Sequence, residues 1–336
     1  MTHRVALVGA GDWARTALAP ALSELPDAEI VACVDPDEGR AAALAAVHGA
    51  QATFPSIADL ASSALAPDVV VISTPDRHHV DAIEAAVAMG AAVYCEKPLA
   101  ASADEAWRLA RLTAGYPRPT TVGFNFRYSA AVQQLKDDLV SGLLGRPWLI
   151  ETQERNSQFH PEVGRAMTWK GDPRHASGGA LIEYGAHVLD LDRWLVGPPI
   201  EVSARLLLVS DQSQLDDVAV VQLVHDNDAL GTFAASWVLA GGFPGIRVVV
   251  HGSRGTAEVV LDDARPVAET YRRYDLSGHV AAERDYEPVA RHAYAQRQLT
   301  DLLAMSAGRA PAYADTLPTI ADAAKIQALL DRALAS

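Results

Sequence analysis

The sequence predicts an α/β chain of two domains: a doubly wound, parallel-sheet domain first, then an α+β domain on a large, mostly antiparallel open sheet. Three observations predict it. Short continuous apolar runs alternate with Ala-rich stretches through the first third of the chain. A Gly-x-Gly-x-x-Ala turn, Gly9–Ala14, directly follows the first of those runs. After about residue 122 the rhythm changes to closely spaced runs joined by polar turns. The length, 336 residues, agrees with two domains at roughly 150 residues each.

The apolar runs of the first part are Val5–Val8, Ile30–Val34, Val69–Ile72 and Ala91–Cys95. Continuous Val-rich runs of this kind fit parallel strands covered on both faces. The stretches 36–49 and 77–90 are long enough to be crossover helices, with Gly49 and Gly90 placed as their C-caps. In the second part, a helix at 129–141 precedes a long polar segment, 151–177, and then a very apolar helix at 178–196. Runs at 201–209, 217–225, 229–238 and 246–260 read as sheet strands, with Asp226-Asn227-Asp228 as one turn. A helix at about 314–334 closes the chain. The expected domains are residues 1–122 and 123–336.

Composition narrows the function classes. Lys plus Arg number 28 and Asp plus Glu 42, a formal charge of −14, which opposes binding to nucleic acid or to an anionic membrane. Hydrophobic residues make up 49%, enough for real cores. No segment has the roughly 18 uninterrupted apolar residues of a membrane span. Gly9, Gly11 and Asp12 cut short the apolar start, so no secretory signal is read and the expected compartment is the cytoplasm. Cys33 and Cys95 sit in apolar runs without Cys-x-x-Cys spacing and are expected as core fillers, with no metal site.

The turn Gly9-Ala10-Gly11-Asp12-Trp13-Ala14 lies between a strand and a helix, the context of the Rossmann dinucleotide fingerprint. Gly9 permits the tight turn, Gly11 lets the backbone approach a pyrophosphate, and Ala14 lets the helix pack closely on the strand. Asp35 ends the second strand 21 residues after Ala14, where a carboxylate binds the adenosine ribose hydroxyls. It would repel the 2′-phosphate of NADP, so the expected cofactor is NAD. In open α/β sheets, ligands bind beyond the carboxyl ends of the strands. Thr74, Pro75 and His79 after one run, and Glu96 and Lys97 after the next, all fall at that edge.

At these residues the chain resembles the glucose–fructose oxidoreductase / inositol dehydrogenase (GFO/IDH/MocA) family. The matching stretches are Gly9–Ala14, Thr74–His79, Glu96-Lys97-Pro98-Leu99-Ala100, Gly123–Tyr128, Gly178–Asp190 and Gly252–Gly255, in family order. The resemblance implies reversible hydride transfer between NAD and a secondary alcohol of a cyclic sugar, polyol or sugar derivative. It implies a catalytic Lys97, close to the nicotinamide and the reacting carbon. Such chemistry needs a polarising or proton-accepting group beside the carbinol. It places His79 near the cofactor, although that residue is also readable as closing a helix start. Asn125, Arg127 and Tyr128 become candidates for binding substrate. Homodimers or homotetramers through the second-domain sheet are also implied.

Helical geometry supports a site on the stretch 178–196. At about 100° per residue, Glu183, His187, Asp190 and Trp194 share one narrow face of an otherwise apolar helix. A polar stripe there is costly unless its groups are paired or face a cavity. The family pattern implies that His187 is the general acid/base and that the carboxylate at 183 orients substrate or histidine. Glu183 stands where the family has Asp, one methylene longer. Asp190 reads as a supporting residue. Arg155, Asn156, His160, Arg165, Trp169, Lys170 and His175 could supply hydroxyl-binding groups. Three other functions fit the same residues: transient oxidation of a sugar with NAD retained, a non-catalytic NAD-binding regulator, and reduction of an imine or non-sugar ketone.

Overall fold

A computed structural model describes residues 2–162, 164–239, 245–262, 266–313 and 315–336. The first sheet is built from β1 (His3–Val8), β2 (Ala28–Val34), β3 (Ala52–Phe54), β4 (Val69–Ile72), β5 (Ala92–Cys95) and β6 (Thr120–Val122). Between them run α1 (Ala19–Ser23), α2 (Glu38–His48), α3 (Ile57–Ser62), α4 (His79–Ala88) and α5 (Ala103–Thr113). The strand order is β3-β2-β1-β4-β5-β6, with parallel pairing throughout. This is the doubly wound arrangement, with its switch point between β1 and β4. Val5, Ala6 and Leu7, all of β4, and all of β5 are fully buried, as continuous apolar runs demand. Ser56 and Ser102 accept N-terminal amides of α3 and α5, and Asp37 does so for α2. Gly49 and Gly90 stand at φ 75° and 76° at the ends of α2 and α4, the backbone a helix C-cap requires.

The second sheet orders its strands β14-β13-β12-β11-β7-β10-β9-β8. They are β7 (Pro147–Arg155), β8 (Pro199–Leu207), β9 (Val218–His225), β10 (Leu230–Ser236), β11 (Gly245–Gly252), β12 (Gly255–Asp262), β13 (Val267–Tyr274) and β14 (Val280–Val289). Only β7 and β10 run parallel; the remaining pairs are antiparallel. Preceding them is α6 (Ala130–Val140), and α7 (Ala180–Val196) packs on β7, β9 and β10. A Cβ on Gly185 of α7 would lie 3.3 Å from the Phe233 ring, so helix and sheet are in close contact there.

Several expected boundaries differ. The polar segment starting at 151 is a strand up to Arg155, because alternate residues Ile150, Thr152 and Glu154 are buried while their neighbours are not. The run 246–260 is two strands, folded back at Gly252–Gly255. A Cβ on Gly252 would come within 2.1 Å of the Leu144 carbonyl oxygen. Strands β13 and β14 were not anticipated, since their charged residues pair across the sheet, as Arg272 does with Glu283. The last helix, α9, spans Ile320–Leu334; residue 314, the expected start, lies outside the described residues.

The chain divides into two compact units, residues 1–128 with 292–325, and 129–291 with 326–336. The chain returns to its first unit through α8 (Ala293–Ser306). Ala295, Leu299, Leu302 and Leu303 of α8 join one buried cluster with Leu18, Leu22 and Tyr94. The Gln298 amide donates to Thr121 Oγ1 at 2.9 Å and to the Val122 carbonyl at 2.8 Å, holding β6. No helix among the described residues is long and apolar enough to cross a membrane.

Candidate active site

In the first unit the glycine-rich turn has the shape its sequence requires. Gly9 has φ +96°, and a Cβ on it would lie 2.5 Å from the Ser73 carbonyl oxygen; no other residue fits. A Cβ on Gly11 would meet nothing within 4 Å, so the backbone there faces open space. The following helix starts at once, with Arg15 N donating to Gly11 O at 3.0 Å, and Ala14 is fully buried. Asp35, 8% exposed, accepts from Ala10 N at 2.8 Å and from Asp37 N at 2.9 Å. One amide on each oxygen leaves lone pairs for ribose hydroxyls. Thr74 Oγ1 is buried without a hydrogen-bond partner among the described residues. An open Gly11, a helix N-terminus and an unsatisfied hydroxyl together fit a dinucleotide. Asp12 is exposed and pairs with Arg15 at 2.7 Å.

The Glu96-Lys97-Pro98 turn at the end of β5 is braced from several sides, and its Lys97–Pro98 peptide is cis. Glu96 Oε1 accepts from Trp13 Nε1 at 2.7 Å and Tyr94 OH at 2.9 Å, and Oε2 accepts from Lys97 N at 3.3 Å. Burial pushes the Glu96 carboxyl up, while Lys97, Tyr94 and Trp13 partly offset it. A Cβ on Gly123 would lie 2.7 Å from Tyr94 OH and 2.9 Å from Glu96 Oε1, so Gly123 leaves room for this pair. Trp13 and Glu96, both expected to contact the cofactor, are hydrogen-bonded to each other through Nε1 and Oε1. Lys97 itself is half-buried.

His79 is 1% exposed. Its Nδ1 lies 2.9 Å from the Pro98 carbonyl and its Nε2 2.9 Å from the Thr74 carbonyl. Both ring nitrogens lie against backbone oxygens of the loops that follow β4 and β5. Burial lowers its pKa, opposed by the Thr74 carbonyl and by Asp76. Arg127 is 2% exposed and donates to the Thr316 carbonyl at 3.3 Å. Tyr128 is fully buried, edge-on to Tyr313. Both belong to the core of the first unit, and Asn125 is 6% exposed beside them.

In the second unit, α7 carries the polar stripe. His187 is 9% exposed and Asp190 1%. One turn before the histidine, Glu183 Oε1 lies 2.5 Å from Lys170 Nζ, both side chains about a quarter exposed (25% and 29%). Lys170, one of the polar candidates in 151–177, is set against the stripe at Glu183. Asn156 and Gln158 both donate to Tyr184 OH at 2.8 Å, and Arg165 donates to Gln158 at 3.1 Å. Trp194 ends the stripe under the Lys136 ammonium and is structural.

Two residues that place this helix had no signal in the sequence. Asp216 accepts from Gly179 N at 2.9 Å and Leu181 N at 2.7 Å, capping α7 from 35 residues away. A Cβ on Gly179 would lie 2.0 Å from the Asp216 carbonyl oxygen. Asp192, fully buried on the sheet side, accepts from Thr152 Oγ1 at 2.9 Å. Burial pushes its carboxyl up to about 8, with the Thr152 bond opposing.

Comparison with known proteins agrees with this geometry. Residues 3–124 match the model of an oxidoreductase family with an NAD-binding Rossmann fold, and residues 132–258 match a GFO/IDH/MocA C-terminal domain. An inositol 2-dehydrogenase of Rhizobium meliloti strain 1021 is 27% identical over 281 residues, 80% of this chain and 78% of that protein. Inositol 2-dehydrogenase 3 of Saccharopolyspora erythraea is 33% identical over 208 residues; the match covers 62% of this chain and 57% of that relative's length. The crystal structure of an oxidoreductase domain protein from Kribbella flavida superposes with a TM-score of 0.85 at 23% identity, covering 98% of this chain and 96% of that one, which shows the shared fold.

Proposed function

This chain belongs to the GFO/IDH/MocA family of NAD-binding oxidoreductases, and from that premise we propose that it moves hydride between NAD and a secondary alcohol or ketone of a cyclic polyol, sugar or sugar derivative. Lys97 and His187 are its acid/base groups and Glu183 orients the substrate. The observation that carries this reading is the α7 stripe. A carboxylate and an imidazole stand one turn apart on a helix whose other residues are mostly buried and apolar. Likeness to inositol 2-dehydrogenases supports a ring-shaped polyhydroxy substrate.

When bound, NAD supplies the hydride acceptor or donor. The protein's residues do the rest. Backbone amides from Gly11 onward would hold the pyrophosphate, and Asp35 would take the ribose hydroxyls. The hydroxyl that becomes a carbonyl must lose its proton. His187 is assigned as a proton acceptor through a ring nitrogen, and Lys97 as a polarising group. Glu183, fixed by Lys170, accepts from a neighbouring hydroxyl and sets the pose. A screen of inositols, pentoses, hexoses and anhydrosugars with NAD⁺, followed by NADH absorbance, tests this. Turnover of at least one such compound is expected; NAD binding with no turnover across the panel would overturn it in favour of a regulator.

The chain also assembles, on this reading, as a homodimer or homotetramer through the sheet face opposite α7. Leu207, Val220 and Leu230 stand 58%, 48% and 53% exposed on that face. A second copy would cover such a patch. Light scattering on the purified protein checks the mass.

A further inference from the structure

The Pro98 carbonyl follows the residue on which the chemistry depends, and lies in a turn rather than in a sheet ladder. Its hydrogen-bond partner is a side chain: His79 Nδ1, at 2.9 Å. The same ring reaches the Thr74 carbonyl at 2.9 Å through Nε2. Ser73 and Thr74 in turn press against Gly9, where an added Cβ would lie 2.5 Å from Ser73 O and 2.9 Å from Thr74 N. One buried imidazole therefore links the Lys97 turn to the loop that shapes the glycine-rich turn.

We propose that His79 is a positioning residue for Lys97, acting through the Pro98 carbonyl rather than through any contact with cofactor or substrate. It rests on the reading of Lys97 as an acid/base group. A lysine side chain is long and flexible, so where its ammonium dwells depends on where the backbone holds its root. Misplacement of a reacting group by about 1 Å can cost about a hundredfold in rate. Glu96 holds the turn at Lys97 N, and His79 holds it one residue later. A neutral imidazole has one N–H and a protonated one has two. In either state that binds Pro98, Nδ1 carries the proton.

Two substitutions separate the two contacts. In His79→Asn the amide nitrogen replaces ring Nδ1 and can still reach Pro98 O. In His79→Gln it replaces Nε2 and reaches Thr74 O instead. His79→Gln should lower kcat at least about tenfold, with substrate KM and the Kd for NAD within about threefold of wild type. His79→Asn should restore kcat to within about threefold. Equal loss in both variants, or a loss that tracks NAD affinity, would overturn the assignment. Should the variants unfold, ¹⁵N-histidine NMR of the wild-type protein decides: a protonated Nδ1 supports the clamp, and a bare Nδ1 rules it out. If Lys97→Ala lowers kcat while His79→Gln leaves it intact, only the positioning role falls. If Lys97→Ala itself has no effect, the acid/base reading falls first.

Discussion

The indole nitrogen of Trp13 donates to the Glu96 carboxylate at 2.7 Å, joining the helix behind the glycine-rich turn to the residue before Lys97. Trp13→Phe keeps an aromatic ring, though a smaller one, and removes the donor. Glu96 Oε1 then keeps Tyr94 OH alone, and loss of a hydrogen bond to a carboxylate costs about 1.5–3 kcal/mol. Urea unfolding should show that loss, and the Kd for NAD should rise as well.

NAD should be preferred over NADP by at least about tenfold in kcat/KM, because Asp35 opposes a 2′-phosphate. The carboxylate also holds Ala10 N at 2.8 Å. Asp35→Ala should therefore narrow the gap chiefly by losing NAD, not by gaining NADP. Titration of both cofactors by fluorescence distinguishes the two routes.

Glu183→Asp shortens the side chain by a methylene and pulls it off Lys170, now 2.5 Å away. A severalfold fall in kcat/KM with unchanged NAD affinity is expected. Lys170→Met should produce a similar fall. The double variant should be little worse than either alone, since the residues act as a pair. Full additivity would show that they serve separate ends.

Lys97→Ala and His187→Ala should each lower kcat by about a hundredfold or more, with both proteins folded by circular dichroism. His187→Ala should retain NAD binding, because its residue lies in the second unit. An unchanged kcat in either would remove that residue from the chemistry.

Asp192 gives stability a pH dependence. Its carboxyl stands at about 8 in the folded chain, against about 3.9 unfolded. Between those values the folded state binds the extra proton, so this group's contribution falls as pH rises. The slope is up to about 1.4 kcal/mol per pH unit, ending above about pH 8. Asp192→Asn can keep the Thr152 bond while removing the titration. Its Tm should exceed that of wild type by a margin that widens from pH 5 to pH 8; parallel curves would mean that Asp192 is ionised.

What could be read beforehand depended on how local its cause is. Gly9, Asp35 and the β4 and β5 runs are legible because a tight turn, a strand-end carboxylate and doubly covered strands each demand a residue type in place. The face shared by Glu183 and His187 follows from helical periodicity alone. Asp216 capping α7, Lys170 on Glu183 and Gln298 on β6 join residues remote in sequence, and a capping carboxylate looks like any other Asp. Tyr128 and Arg127 are buried, and a motif shared with a family marks a place without saying whether its side chains face solvent or core.

The return of α8 bears on how the chain is made. Leu299, Leu302 and Leu303 are synthesised after the whole second sheet, yet they complete the cluster around Leu18 and Leu22. During translation the leading segment would leave the ribosome with that apolar surface uncovered, and its folding should complete only once residues 292–325 have emerged. Domains that normally mature in order of synthesis are here obliged to wait, and a fragment ending at residue 128 should bind chaperones rather than cofactor.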